Sequence, residues 1–251
     1  MPTRAVLFDL GNTLWHIPEL PPRDNIRGET VRRILRLLQS WGIEPEEEHR
    51  FIGRDIRLAV GEANRTAYSG NCISPDFLTI VREVAAEKGL DLSRDKVDQL
   101  WNTWNIEGTF FGRRLFDDAL HTLEALRDRG YRIACVTNRA FGGPAFVQEI
   151  ESHGLADLFE VMAVSCHLGY MKPHPKIFEH TLDALDVAPH EAVMVGDLLR
   201  ADVAGAQALG MTAVWRRHGQ IKEEANGVQP DFVVQELAEL LDLPCLAPNG
   251  Q

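Results

Sequence analysis

Ala5-Val6-Leu7-Phe8-Asp9-Leu10-Gly11-Asn12-Thr13 is the stretch on which the fold turns. Four apolar residues read as a short buried strand. The strand ends in a carboxylate, and turn formers follow. Open parallel sheets gather their chemistry at the C-terminal tips of their strands, so Asp9 stands where a reactive group belongs. Two residues on, where a second carboxylate would complete an acid/base pair, the chain has Gly11.

Outward from that stretch, strands alternate with helices through the C-terminal half. Strands are expected at Arg132-Ile133-Ala134-Cys135-Val136, Val161-Met162-Ala163-Val164, Ala192-Val193-Met194-Val195, Thr212-Ala213-Val214-Trp215 and Phe232-Val233-Val234. Helical patterns fill Asp118 to Arg129, Ala145 to His153, Lys176 to Leu185 and Ala201 to Leu209. Gly130, Gly154 and Gly210 read as helix stops. This alternation predicts an α/β fold, a parallel sheet with right-handed crossovers.

Between Trp15 and Phe111 no strand-like run occurs. Four apolar sets recur at helical spacing instead: Val31 to Trp41, Phe51 to Val60, Phe77 to Val84, and Val97 to Trp104. Ser74-Pro75 and Ser93 read as helix starts. The sequence therefore predicts a core built from residues 1–15 and 112–251, with an all-α insert over 16–111. The tail from Pro244 is expected to be loose.

Composition bounds the function. The chain has 251 residues, 45% hydrophobic and 25% charged, with a formal net charge of −11. That balance argues against a nucleic-acid partner, which needs a basic face. No apolar run approaches the roughly 18 residues of a membrane span. Cys72, Cys135, Cys166 and Cys245 are scattered, as reduced thiols in a cytoplasm would be, so a cytoplasmic location is expected. Nothing in the sequence sets an oligomeric state.

Four segments lie at or just beyond strand ends: Asp9 to Thr13, Val136-Thr137-Asn138, Lys172-Pro173-His174-Pro175, and Gly196-Asp197 running on to Asp202. Phosphoryl transfer explains the combination. An Asp carboxylate can serve as nucleophile and form an aspartyl-phosphate. Lys172 and a metal ion supply positive charge around the phosphoryl oxygens. Mg²⁺ prefers hard oxygen ligands, which Asp9, a backbone carbonyl near Gly11, and Asp197 offer, with Asp202 steadying the loop. Thr137 and the amides after it can hydrogen-bond the phosphoryl group.

With this order and this insert, the four segments resemble the haloacid dehalogenase superfamily of hydrolases. The likeness runs from Arg4 to about Phe232 and is sharpest over Leu123 to Asn138, Leu155 to Leu185, and Val193 to Trp215. It implies a Rossmann-like core, a helical cap inserted after the first strand, and Mg²⁺-dependent phosphatase activity on a small phosphorylated metabolite. On the matching positions it implies Asp9 as nucleophile, Thr137 (with Asn138 beside it) and Lys172 as phosphate-binding residues, and Asp197 with Asp202 as the metal pair. Gly11 stands where the acid/base Asp of the pattern belongs, and Asn12 replaces the usual glycine. Asn tolerates a left-handed backbone, so the turn and the residue-11 carbonyl can survive while the leaving-group acid is lost.

His16, just beyond the loop, is the candidate substitute proton donor. Other readings are a 2-haloacid dehalogenase, a carbon–phosphorus hydrolase using a cap lysine (Lys88 or Lys96), and a phosphate-binding protein with a disabled site. The acidic pair Asp197/Asp202 fits the first of these poorly.

Overall fold

The computed structural model describes residues 2–218 and 227–247. Among the described residues there are eight strands: β1 (Ala5–Phe8), β2 (Trp15–His16), β3 (Arg114–Leu115), β4 (Arg132–Thr137), β5 (Val161–Val164), β6 (Ala192–Gly196), β7 (Thr212–Arg216) and β8 (Phe232–Val234). Six form one sheet in the order β5-β4-β1-β6-β7-β8. Every pairing within it is parallel. β1 is central, fully buried and flanked in register by β4 and β6, with Phe8 opposite Cys135 and Val195. Strands buried on both faces read as continuous apolar runs rather than alternating ones, which is why they were visible in the sequence. β2 and β3 make a separate two-stranded ribbon beside the Asp9 loop.

The chain divides into two compact units. The first comprises residues 1–16, 113–139 and 150–251; the second, residues 17–112 and 140–149. In the first unit, Leu7, Ala134, Val136, Met194 and Ala213 from the sheet bury against Ile177, Phe178 and Leu182 of the helix Pro175–Ala184. The second holds four long helices: α1 (Arg23–Ser40), α2 (Ile52–Ser69), α3 (Phe77–Glu87) and α4 (Arg94–Trp104). Their centre is aromatic, with Phe77, Trp101 and Trp104 stacked in sequence at 5.8 and 5.2 Å. The Trp104 indole donates to the Gly53 carbonyl at 2.8 Å.

Several details depart from the sequence reading. The α3 N-cap is Asp76, which accepts from the Thr79 amide at 3.1 Å, rather than Ser74-Pro75. Ser93 caps α4 as expected. Residues 140–149 belong to the helical unit, not to the continuous core segment that the sequence suggested. The helix expected over Ala201–Leu209 is a π-type turn, Leu199–Ala204, leading into one helical turn, Gly205–Gln207. The start of the tail is held, not loose. Leu246 is fully buried, and Arg129 and Tyr131 donate to the carbonyls of Leu246 and Ala247. Residues 248–251 lie outside the described residues.

Candidate active site

The site lies entirely in the first unit, at the C-terminal ends of β1, β4 and β6. Asp9 follows the last residue of β1, and its amide donates to the Val195 carbonyl at 2.9 Å, which ties the loop to β6. The chain then turns tightly. The amides of Leu14 and Trp15 both donate to the Leu10 carbonyl, at 2.9 and 3.0 Å. Asn12 carries the left-handed backbone of this turn, with φ of 52°. Asn is among the few side-chain-bearing residues that adopt that conformation readily.

Lys172 is the hub. Its ammonium is buried and lies 2.7 Å from Asp9 Oδ1, 2.7 Å from Asp202 Oδ1 and 2.6 Å from the Val136 carbonyl. A buried ammonium needs this much compensation. Burial opposes its charge, but Asp202 and Asp9 outweigh burial and hold its pKa above the ordinary lysine value. The Lys172 backbone is fixed by Asn138, whose side-chain oxygen accepts from the Lys172 amide at 2.7 Å and whose Nδ2 donates to the Lys172 carbonyl at 2.9 Å. Asn138 thus anchors the lysine loop to the end of β4. Thr137 is buried at the last position of that strand.

Asp197 directly follows β6. Asp202 sits in the π-type turn beyond it and accepts from the Leu198 amide at 2.9 Å. Gly196 is required here, because a methyl group in its place would collide with the Asp202 carboxylate. Carboxylate oxygens of Asp9, Asp197 and Asp202 lie within 4.8 Å of one another, all buried. Among the described residues they are the one such set of three His, Cys, Asp or Glu. Fully ionised, three carboxylates against one ammonium would leave two negative charges in excess, and the cluster resists that state. The effect on Asp197 is large: burial, then Asp9, then Asp202 push its pKa up to about 8. Burial also raises Asp202, against the pull of Lys172. A buried set of three carboxylates that resists full ionisation without a further positive charge fits a hard divalent cation such as Mg²⁺. Asp202 is engaged by Lys172 and by the Leu198 amide, so its first task is to hold the lysine and the loop.

Gly11 is exposed, and its backbone is not left-handed. A Cβ built there would come no closer than 3.8 Å to anything, the nearest atom being Asp9 Oδ2. His16 is turned to other work. Its ring stacks on Phe116 at 4.2 Å and meets His218 edge-on at 5.8 Å. Burial, and then Arg114, His218 and Arg216, lower its pKa. A ring held neutral has little acid strength to offer a leaving group. The two lysines required by the carbon–phosphorus reading are engaged within the helical unit. Lys88 pairs with Asp55 at 2.9 Å, and Lys96 lies over the Trp41 ring at 5.1 Å.

The sequence reading missed three contacts. Asn12 Nδ2 donates to Asp197 Oδ2 at 3.3 Å, the Trp215 indole donates to the Asp197 carbonyl at 2.9 Å, and Arg216 donates to the Asn12 carbonyl at 2.7 Å. One signal pointed to them: an arginine closing the run Thr212 to Trp215, at the same C-terminal end of the parallel strands as Asp9.

A central β1 carrying a buried carboxylate, paired with a lysine and set beside an acidic pair at the strand ends, places its reactive side chains where open parallel sheets carry their chemistry. Residues 3–210 match the model of the haloacid dehalogenase-like hydrolases, and the chain belongs to that family. It is 29% identical over 245 residues to a glyceraldehyde 3-phosphate phosphatase of Methanopyrus kandleri, covering 96% of each chain. It is 31% identical over 249 residues to a ribulose-1,5-bisphosphate 5-phosphatase of Halopiger xanaduensis, covering 95% of this chain and 98% of the other. The crystal structure of a phosphatase of the family from Thermococcus onnurineus superposes with a TM-score of 0.58 at 27% identity, over 96% of this chain and 97% of that one. Among the described residues no helix is long and apolar enough to cross a membrane.

Proposed function

We propose that this protein is a Mg²⁺-dependent phosphomonoesterase that works through an aspartyl-phosphate on Asp9 and lacks a carboxylic acid at residue 11. The observation that carries the reading is the Asp9–Lys172 pair at 2.7 Å inside a buried cluster of three carboxylates. Such a pair holds the carboxylate in one rotamer, aimed at the strand ends, and supplies positive charge where a phosphoryl group would sit. The substrate proposed is a small phosphorylated metabolite, in keeping with the names of the full-length relatives. The helical unit is proposed as the cap that selects it.

In the first step an Asp9 oxygen forms a bond to phosphorus as the ester P–O bond breaks, and the electron pair leaves with the alcohol oxygen. The alkoxide so formed takes a proton from solvent water; in the second step water attacks phosphorus, the Asp9–phosphorus bond breaks, and inorganic phosphate and the Asp9 carboxylate are released as the attacking water gives its proton to solvent. Lys172 and Thr137 bind phosphoryl oxygens, and Asn138 holds Lys172 in place. Asp9, the Gly11 carbonyl and Asp197 would hold Mg²⁺, which when bound supplies further charge neutralisation at the transferring group. Without an acid at residue 11, leaving groups that need no proton are favoured.

That consequence is testable. Removing general acid catalysis typically costs about 10²–10⁴-fold, so wild type should turn over aryl or acyl phosphates far faster than alkyl phosphates. Gly11→Asp should raise the alkyl rate by about 10²-fold and change the aryl rate little, since the backbone is not left-handed and a Cβ there meets nothing nearer than Asp9 Oδ2 at 3.8 Å. Equal wild-type rates on the two classes, measured with chemistry limiting, would contradict the reading.

The acidic cluster also sets a pH dependence. The Asp197 carboxyl sits at about 8 in the folded metal-free protein, above its ordinary value of 3.8. A raised folded-state pKa favours the folded state while the group stays protonated there. The metal-free protein should therefore lose stability progressively between about pH 4 and pH 8. A bound divalent cation removes that penalty, so the Mg²⁺-induced rise in Tm should be large at pH 8 and small at pH 5.5. Thermal melts at the two pH values check this. An equal or reversed effect would rule out Asp197 as a cation ligand.

A further inference from the structure

Arg216, the last residue of β7, is fully buried. Its guanidinium lies 3.7 Å from the centre of the Phe116 ring, and Nη1 donates to the Asn12 carbonyl at 2.7 Å. Among the described residues that carbonyl is its one hydrogen-bond acceptor. The carboxylates of Asp118, Glu236 and Asp197 act on its charge without a hydrogen bond, so burial still lowers its pKa, and one neutral acceptor is a poor packing solution for a guanidinium. The position of that acceptor is informative, because Asn12 is the left-handed residue of the nucleophile loop and its side chain donates to Asp197 Oδ2 at 3.3 Å. The preceding residue, Trp215, reaches the Asp197 carbonyl with its indole N–H at 2.9 Å. The Phe116 shelf is tied to the same loop, since its amide donates to the Leu14 carbonyl at 3.0 Å.

We propose that Trp215 and Arg216 are positioning residues that brace the nucleophile loop against the Asp197 loop, with the Asn12 side chain as the strut between them, and so set Asp197 for a divalent cation. The inference rests on the proposed metal-dependent function and assigns roles to residues which that function leaves unused. Successive residues on a strand point to opposite faces, so one dipeptide reaches two loops. Arg216 fixes the peptide of Asn12, Asn12 Nδ2 fixes one oxygen of Asp197, and Trp215 fixes its backbone.

Mn²⁺ binding to the resting protein, read by electron paramagnetic resonance without substrate, tests the brace. Asn12→Gly keeps the left-handed turn and removes the strut. Arg216→Met keeps bulk and removes the donor. Each should weaken Mn²⁺ binding by about 10–100-fold, the usual effect of losing a partner of a metal ligand. The double variant should bind no worse than the weaker single one, because both break the same chain of contacts. Arg216→Lys should recover part of the loss. If Arg216→Met does not fold, Asn12→Gly and Trp215→Phe carry the test. A merely structural Arg216 would lower the metal-free unfolding midpoint and leave affinity unchanged. Wild-type Mn²⁺ affinity in Asn12→Gly, or additive losses in the double variant, would overturn the brace alone. A wild type that binds no Mn²⁺ would overturn the proposed function together with it.

Discussion

Asp9→Asn is expected to lower kcat on phosphate esters by on the order of 10⁴–10⁶-fold, the range seen when a nucleophile acting within a catalytic unit is removed. The fold should survive. An amide oxygen at position 9 can still accept from Lys172 Nζ, and Asp202 continues to neutralise that ammonium at 2.7 Å. Asp9 lies at the end of a fully buried central strand whose register does not depend on its charge. The loss should therefore appear in single-turnover release from an aryl phosphate, with the unfolding midpoint close to wild type. A residual rate above one hundredth of wild type would mean that another group, or bound water, attacks phosphorus.

Lys172→Met should have the largest effect on stability. The substitution fills much of the same volume but leaves Asp9, Asp202 and the Val136 carbonyl without the donor that now sits 2.6–2.7 Å from each. Breaking a buried ion pair from one side typically costs about 3–5 kcal/mol, and urea unfolding of the metal-free protein near pH 7.5 should show a loss of that size. The loss should shrink as the pH falls. Burial has already pushed the Asp197 carboxyl up to about 8 and raised that of Asp202, and without the ammonium both should take up protons still more readily. Saturating Mg²⁺ should also recover part of the loss. A small, pH-independent change would show that the cluster is neutralised some other way. The same variant should be inactive, since it loses the charge proposed to face the phosphoryl group.

The sheet was legible because its parallel strands are short unbroken apolar runs, whether central and buried like β1 or at the sheet edges like β5 and β8. β1, β5 and β8 begin and end where Ala5–Phe8, Val161–Val164 and Phe232–Val234 do in the sequence. The glycine stops were equally plain, and Gly130, Gly154 and Gly210 all adopt positive φ. The reactive cluster was legible as four segments because strand order carries their tips to one place. What the pattern could not reveal was which hydrophobic core an amphipathic segment joins, and so the grouping of residues 140–149 was missed. It also could not separate a π-type turn from an α-helix over residues 199–204, since both present apolar residues at nearly the same spacing.

Within the site, backbone requirements were easier to read than side-chain partners. Asn12 was recognisable as a residue that tolerates a left-handed turn, and its φ of 52° agrees. Its bond to Asp197 was not recognisable, because that contact spans 185 positions and depends on how two loops face each other. His16 follows the loop closely in sequence, and β2 turns it onto Phe116 and His218. The Asp9 to Thr13 segment now carries three separable duties: a carboxylate held by Lys172, a glycine with room for the acid it lacks, and an asparagine that reaches the acidic pair.

The covalent step is the centre of this account, and rapid acid quenching of wild type during turnover of an aryl phosphate tests it most directly, with mass spectrometry of the peptide that contains Asp9. The account predicts one phosphoryl group on Asp9 at early times, absent in Asp9→Asn, and solvent oxygen from labelled water in the released phosphate rather than in the Asp9 carboxylate. Phosphate release with no phosphorylated Asp9 at any quench time, or labelled oxygen retained in Asp9, would contradict it.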